Sequence, residues 1–354
     1  MKDKSLLSRE NSNVVRGLAI LAIMFHNFLH LDSVGFSKEN EMSFSEIVSN
    51  SFFSKILSWD SYIIPEFVSF LGWTGVTVFV FFTGYGLMTK YPVVSNKIQF
   101  IKRNYIKLFW LLLPGLLFFF FVDLLQGNSG HFFRRLSYLT MLQNLDYPHL
   151  KVDPGVYWYF SLTFQLYLFY AIFNKWMKPA FLLICSALSL IGLYVLGAIH
   201  WGYGFSIFRH CFTGWFPVFA IGIYYAQKKI SINFNQQPIL LNIFLAISIL
   251  AIMVLLNADF ILWLFLPIVS LFWFFIIAII IFCMGRKVSR PFEWIGKYSA
   301  SIFVCHPIVR SILLRLHSHI GHMGIIIIAF FVLTLIVAFY YDKLYRFMIK
   351  RFAI

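Results

Sequence analysis

Long apolar runs separated by short polar segments recur along the whole chain. Nine of these runs are long enough to cross a membrane, because about 20 apolar residues span a hydrocarbon core of roughly 30 Å as a helix. A tenth run, 213–227, is shorter and contains Pro217. Together the ten runs predict membrane helices at residues 14–31, 67–89, 104–124, 155–173, 180–198, 213–227, 236–257, 260–284, 298–315 and 323–342. The pattern therefore predicts an all-α polytopic membrane protein, with one transmembrane domain over residues 1–354.

The basic residues indicate which way the spans are oriented. The chain carries 29 Lys and Arg and a formal net charge of +15. Most of them lie at the two termini and in the segments 90–103, 174–179, 228–235 and 285–297. This distribution follows the positive-inside rule rather than forming the basic patch of a nucleic-acid-binding protein. We therefore predict that both termini are cytoplasmic and that no nucleic acid is bound.

The remaining long polar segments, 32–66 and 125–154, are then the predicted outside loops. Their charged residues have two interpretations: a polar platform for a hydrophilic acceptor, or simply solvated loop charges. No segment of domain size has a soluble composition, and the mean hydropathy of the chain is +0.79. The four cysteines form no CxxC pair, so the sequence implies neither a metal site nor a disulfide framework.

His26 is the most informative single residue, because it lies in the middle of the first predicted span. An ionisable side chain is costly at that depth and is functional by default. Arg16 precedes it by ten residues, which is about 15 Å along a helix. This spacing would place a cation at the membrane surface and an imidazole near the midplane. A packing histidine is the alternative interpretation for His26, and a positive-inside anchor is the alternative for Arg16.

Two further groups of residues are candidates for chemistry. Arg103 and Lys107 are four residues apart at the start of the third span, which suits either the phosphates of a nucleotide-like ligand or anionic lipid headgroups. His306 follows Lys297 by nine residues, so it lies about 13 Å into the ninth span. It would approach the midplane from the same side as His26, with a functional or a structural role.

Five motifs follow one another along the chain. They are Arg16-Gly17…His26, Phe81-Phe82-x-x-Gly84-Tyr85, the basic segment with Arg103 and Lys107, Trp158-Tyr159-Phe160, and Gly296-Lys297-x-Ser299…His306. Taken in this order, the motifs resemble integral-membrane acyltransferase family 3, which includes bacterial polysaccharide and peptidoglycan O-acetyltransferases. The resemblance covers roughly residues 13–345.

The resemblance implies transfer of an acyl group across the bacterial inner membrane. Acyl-coenzyme A would be the cytoplasmic co-substrate, with no bound cofactor, and the acceptor would be a hydroxyl of an envelope glycan or lipid-linked sugar. The group is expected to be acetyl, with succinyl as the alternative. His26 matches the catalytic first-span histidine, and Arg16 matches its coenzyme-binding partner. Arg103 and Lys107 match a basic cluster that we assign to the same coenzyme, and membrane lipids are the other expected partners.

The reaction that the resemblance implies gives these residues chemical roles. A neutral imidazole at His26 can take the proton of an acceptor hydroxyl as it attacks the thioester. His306 would orient the acceptor or stabilise the oxyanion. A two-step route through an acyl-histidine is equally compatible with the sequence. Two other functions are alternatives: a transporter or flippase for a glycan or lipid-linked sugar, and a haem-binding electron carrier with His26 and His306 as axial ligands.

Overall fold

The all-α prediction is confirmed. The computed structural model describes residues 5–29, 40–59, 63–127, 132–146, 155–232, 238–320 and 323–352, without the side chains of 132–134 and 316–320. Helices account for almost all regular structure in these ranges. In chain order they are α1 (Ser12–Leu29), α2 (Glu46–Ser58), α3 (Ile63–Thr74), α4 (Val76–Lys90), α5 (Lys97–Leu125), α6 (Phe132–Thr140), α7 (Trp158–Phe173), α8 (Pro179–Ala198), α9 (Gly202–His210), α10 (Phe212–Gln227), α11 (Ile239–Leu256), α12 (Phe260–Trp263), α13 (Leu266–Cys283), α14 (Arg286–Lys297), α15 (Ser299–Ile320) and α16 (Met323–Phe352).

Eight helical segments in the described ranges are long and apolar enough to cross a membrane, so the chain is a multi-pass membrane protein. These segments are Ser12–Leu29, Ile63–Lys90, Lys97–Leu125, Gly155–Trp176, Pro179–Ala198, Ile239–Leu256, Leu266–Cys283 and Met323–Phe352. Two further predicted spans correspond to α10, which has 16 residues, and to α15. The count of ten spans and the cytoplasmic position of the termini stay predictions.

The chain forms two compact units. The first unit comprises Met1–Pro92, Met177–Arg209 and Thr213–Lys297, and the second comprises Val93–Trp176, His210–Phe212 and Tyr298–Ile354. In the first unit, α1 packs against α3, α4, α13 and α14, and α11 packs against α13. In the second unit, α5 packs against α7, α15 and α16. The helix that carries His26 is therefore at the centre of the first unit.

Two segments that we predicted as cytoplasmic loops are helical instead. Residues 97–103 form the first turns of α5, because the Asn96 side chain caps it by accepting from Gln99 N–H at 2.9 Å. Residues 286–297 form α14, which packs along α1. Hydropathy alone missed both, because a polar helical turn and a polar loop look alike on a hydropathy scale.

The predicted outside loops are also partly folded. Segment 32–66 contains α2 and the start of α3, and segment 125–154 contains α6. Arg135 of α6 is buried and forms a bidentate ion pair with the buried Asp123 of α5, with Nη2 donating to Oδ1 at 2.9 Å. The interpretation of this loop as solvated charges is therefore wrong for Arg135. His131, Arg134, His149 and Asp153 of the same segment lie outside the part whose side chains are described.

Two glycines of the sequence motifs are explained by close helix packing. A Cβ at Gly296 in α14 would overlap Asn13 O, and a Cβ at Gly17 in α1 would overlap Phe292 O. The two glycines face each other, so the backbones of α1 and α14 meet without side chains between them. Small residues allow this close approach in membrane proteins. The contact fixes α1, and with it His26, against α14.

The pair Gly84 and Gly86 gives a test of the packing interpretation. A Cβ at Gly84 would overlap Phe219 O of α10, whereas a Cβ at Gly86 would meet nothing within 4 Å. We expect Gly84→Ala to lower the unfolding temperature in detergent, because the backbone of α4 or of α10 must move to make room for the added methyl group. Gly86→Ala should leave it unchanged or raise it, because alanine favours helix by about 0.5–1 kcal/mol over glycine. Equal effects of the two substitutions would contradict the packing role of Gly84.

Candidate active site

His26 is held in one orientation by helix α3. Its imidazole is 2% exposed, and Nδ1 lies 2.9 Å from Ser69 O and 3.3 Å from Ser69 Oγ in α3. A carbonyl oxygen only accepts hydrogen bonds, so Nδ1 carries the proton in this contact. In the neutral ring the lone pair is then on Nε2. His26 therefore presents a basic nitrogen on the side away from Ser69.

A carboxylate lies on that side of the ring. Glu41 Oε2 is 3.5 Å from His26 Nε2, and the Glu41 side chain is only partly exposed. This pair becomes a salt bridge when His26 is protonated. The imidazole thus has a hydrogen-bond acceptor at Nδ1 and a negative charge beside Nε2. That arrangement suits a base that gains a proton during a reaction and gives it up afterwards.

The segment that carries Glu41 is anchored at several points. Trp263 Nε1 donates to Asn40 O at 2.8 Å, and Asn40 Oδ1 accepts from Ser45 N–H at 2.9 Å. Asn40 Nδ2 also reaches Asn257 Oδ1 at 3.4 Å. These contacts fix the backbone next to Glu41. The carboxylate is therefore presented to His26 by folded structure rather than by a freely moving loop.

The approach of α3 to α1 depends on a glycine. A Cβ at Gly72 would overlap His26 Cβ, so no other residue fits there without moving the imidazole. Ser69 precedes Gly72 by three residues and therefore lies on the same face of α3. The close contact at Gly72 brings the Ser69 carbonyl within hydrogen-bonding distance of the ring.

Arg16 lies on the same helix as His26 but on a different face. Ten residues at about 100° each leave the two side chains about 80° apart around α1. Arg16 Nη2 donates to Ser12 Oγ at 2.8 Å, and the guanidinium carbon is 5.3 Å from the centroid of the Phe82 ring. The first motif and the Phe-Phe motif thus meet at Arg16, about 15 Å along the helix from His26.

The other predicted site residues belong to the second unit. His306 is fully buried, its Nδ1 lies 3.1 Å from Ile302 O in the preceding turn, and its ring is 5.7 Å from that of Phe303. Arg103 is exposed on α5, and Lys107 lies one turn further along and is partly buried. No group of three His, Cys, Asp or Glu in the described ranges could hold a metal ion.

The comparisons with known proteins identify the family. Residues 9–342 match the acyltransferase-domain family, which is nearly the whole chain. The chain belongs to acyltransferase family 3. Neither the curated proteins nor the solved structures gave a match. Members of this family are acyltransferases, so the protein is an acyltransferase that transfers groups other than aminoacyl groups. This result favours the enzyme over the transporter and the haem carrier.

Sequence reasoning missed three residues of this acyltransferase that the structure connects to the histidine, directly or through Glu41. Glu41 was counted among loop charges, Ser69 acts mainly through its backbone carbonyl, and Arg209 was not singled out. Arg209 is fully buried in the first unit, where burial lowers its pKa to about 10 and Glu41 opposes that shift, so it is charged at neutral pH. The rule that drew attention to His26 is that an ionisable side chain among apolar residues is functional by default. The same rule applies to Arg209.

The anchor at Trp263 leads to a stability prediction. Trp263→Phe removes the N–H that donates to Asn40 O and leaves a buried carbonyl without that partner. We expect the free energy of unfolding to fall by about 1–3 kcal/mol, measured by chemical denaturation in detergent. Trp201→Phe is the matched control, because Trp201 is 54% exposed in the same unit. If both variants unfold like the wild type, the Trp263 hydrogen bond does not anchor the Glu41 segment.

Proposed function

We propose that this protein is a transmembrane O-acyltransferase of the bacterial inner membrane. It transfers an acyl group, expected to be acetyl, from cytoplasmic acyl-coenzyme A to a hydroxyl of an envelope glycan or lipid-linked sugar. Family membership supports acyl transfer, and the lopsided distribution of Lys and Arg supports cytoplasmic termini. The observation that carries the proposal is the orientation of His26, with Nδ1 bound to Ser69 O and Nε2 facing Glu41.

In the proposed reaction His26 is the general base. The acceptor hydroxyl attacks the thioester carbonyl carbon while its proton passes to His26 Nε2, and the carbonyl oxygen becomes an oxyanion. The tetrahedral intermediate then collapses, the carbon–sulfur bond breaks, and Nε2 returns the proton to the leaving thiolate. The products are the ester and coenzyme A, and His26 is neutral again.

Glu41 stabilises the charge that His26 carries between these two steps. Its carboxylate is 3.5 Å from the nitrogen that takes the proton. An opposite charge at this distance favours the imidazolium, and the effect is larger inside a protein than in water. The Ser69 carbonyl at 2.9 Å keeps the ring from turning when Nε2 changes its protonation state.

The coenzyme would be held by basic residues at the cytoplasmic ends of helices. Arg16 on α1 and Arg103 and Lys107 on α5 are assigned to its phosphates, because guanidinium and ammonium groups are the usual phosphate ligands. Anionic membrane lipids are the competing ligands for Arg103 and Lys107. We assign His306 to orienting the acceptor, and stabilisation of the oxyanion on the acyl donor is its alternative role.

Two features of the proposed reaction have alternatives. Succinyl would replace acetyl without any change in the proton transfers. A route in which His26 Nε2 itself attacks the thioester and forms an acyl-histidine would use the same tautomer. In both routes Nε2 is the reacting nitrogen and Nδ1 keeps its proton.

The proposal is tested with sealed inside-out vesicles that enclose envelope glycans and contain the protein. Labelled acetyl-coenzyme A is added to the exposed cytoplasmic face, and label in the enclosed glycan is measured. We expect label to appear inside with the wild type, and His26→Asn to lower the rate by about 10²–10⁴-fold, because the general base is lost.

His200→Asn is the control for this experiment, because His200 is an exposed histidine of the same unit. It should behave like the wild type. If the wild type moves no label into any enclosed acceptor, the proposed reaction is wrong. If His26→Asn keeps the wild-type rate, the assignment of His26 as the base is wrong.

The assignment of Arg103 to the coenzyme has its own test. Arg103→Gln should raise the KM for acetyl-coenzyme A about tenfold or more with little change in kcat, since a charge-assisted hydrogen bond is worth about 1.5–3 kcal/mol. Lys102→Gln removes an equally exposed charge from the neighbouring position and should leave KM nearly unchanged. An unchanged KM in Arg103→Gln would favour lipid headgroups as the ligands of this residue.

A further inference from the structure

Arg209 lies in a cage of three tryptophans inside the first unit. Its side chain is fully buried, and its guanidinium carbon is 4.8 Å from the Trp263 ring centroid, 4.9 Å from that of Trp215 and 5.8 Å from that of Trp73. Cation–π contacts stabilise the charge, and the rings exclude water from the faces of the group. They satisfy none of its N–H donors, which point outward in the plane of the guanidinium.

Several donors in this cage have no acceptor among the described residues. Arg209 Nη1 reaches Gly214 O at 3.5 Å, which is a long contact, while Arg209 Nε and Nη2 and Trp73 Nε1 are buried without a hydrogen-bond partner there. Leaving a buried donor unsatisfied is costly, and more so for a charged group. Converging donors of this kind are suited to a ligand oxygen that carries negative charge.

Two contacts connect the tryptophan cage to the segments that hold His26. Trp73 follows Ser69 by one helical turn on the same face of α3, and Ser69 O binds the imidazole. Trp263 donates to Asn40 O, and the next residue, Glu41, lies 3.5 Å from His26 Nε2. The cage and the imidazole are therefore bordered by the same two segments.

The charges of the group favour a ligand that is neutral before the reaction. The proposed reaction starts from a neutral His26, and Arg209 and Glu41 carry opposite charges, so in that reaction the three side chains sum to zero at the start. A ligand with a full negative charge would leave this buried site with an excess charge. When His26 takes a proton and a carbonyl oxygen becomes an oxyanion, the sum is again zero. The site thus matches a carbonyl that becomes charged in the same step.

We propose that Arg209 and Trp73 form the oxyanion site of the enzyme and bind the carbonyl oxygen of the acyl donor. This inference rests on the proposed function. The guanidinium Nε and Nη2 and the Trp73 indole N–H donate to this oxygen, and their hydrogen bonds strengthen as the thioester carbonyl becomes a tetrahedral oxyanion. Glu41 balances the imidazolium, and Arg209 balances the oxyanion. Donors fixed in advance in a dry site are an effective way to stabilise such a charge.

The test compares two donor analogues that the enzyme cannot cleave. Acetonyl-coenzyme A is a ketone that keeps the carbonyl, and propyl-coenzyme A is a thioether without it. Binding to the protein in lipid nanodiscs is measured by calorimetry. We expect the wild type to bind the ketone about tenfold or more tightly than the thioether. Trp73→Phe, which keeps the ring and removes the N–H, should reduce this preference several-fold, and Arg209→Gln should abolish it.

Neither variant should change the affinity for propyl-coenzyme A. Arg209→Gln should also lower kcat by about 10²–10³-fold with little change in the KM of the donor, as for other oxyanion-site donors. Trp201→Phe, which changes an exposed tryptophan, is the control for both measurements. Trp73→Phe keeps the experiment informative if Arg209→Gln does not fold.

Three results would overturn the inference. If the preference for the ketone survives in both variants, the carbonyl is bound elsewhere. If the variants lose affinity equally for both analogues, Arg209 binds the coenzyme rather than the carbonyl. If the wild type binds neither analogue, the coenzyme donor of the proposed function is itself wrong, and the oxyanion site falls with it.

Discussion

The contact between α1 and α3 at His26 is the constraint on which the proposed chemistry depends. Gly72 allows the two backbones to approach until Ser69 O reaches His26 Nδ1 at 2.9 Å. That hydrogen bond fixes both the tautomer and the direction of the ring. A basic nitrogen deep in a membrane protein is useful only if it faces the reacting group, and here the direction is set by backbone atoms. Glu41 faces the other ring nitrogen, Nε2, at 3.5 Å.

Two groups of buried charged side chains in the described residues are compensated by opposite charges. In the first unit, Glu41 pairs with His26 and also interacts electrostatically with Arg209, and in the second unit Asp123 and Arg135 form a buried ion pair. An isolated buried charge is costly, so burial of this kind implies either a structural partner or a functional need. The second-unit pair joins α5 to α6 and is structural. The first-unit group retains unused donors, which is why it carries the functional inference.

The sequence motifs of the family combine packing and chemistry. Gly17 and Gly296, each from a different motif, meet where α1 contacts α14, and Gly84 meets α10. Arg16 makes a cation–π contact with Phe82, so the first and second motifs also share a contact. These residues position the helix that carries His26. A short motif that recurs in a membrane enzyme can therefore mark the framework of the site as readily as its reactive groups.

The sequence by itself determined the membrane class, the position of most spans and the family, because hydropathy and local motifs depend only on neighbours along the chain. It also singled out His26, because an ionisable residue within an apolar run can be recognised from its sequence neighbours alone. Glu41, Ser69, Trp73 and Arg209 became recognisable only in the tertiary structure. They come from segments far apart in the chain, and their roles follow from distances to the imidazole. The helices α14 and α6 also needed the structure, because their polar turns are stabilised by packing that hydropathy does not record.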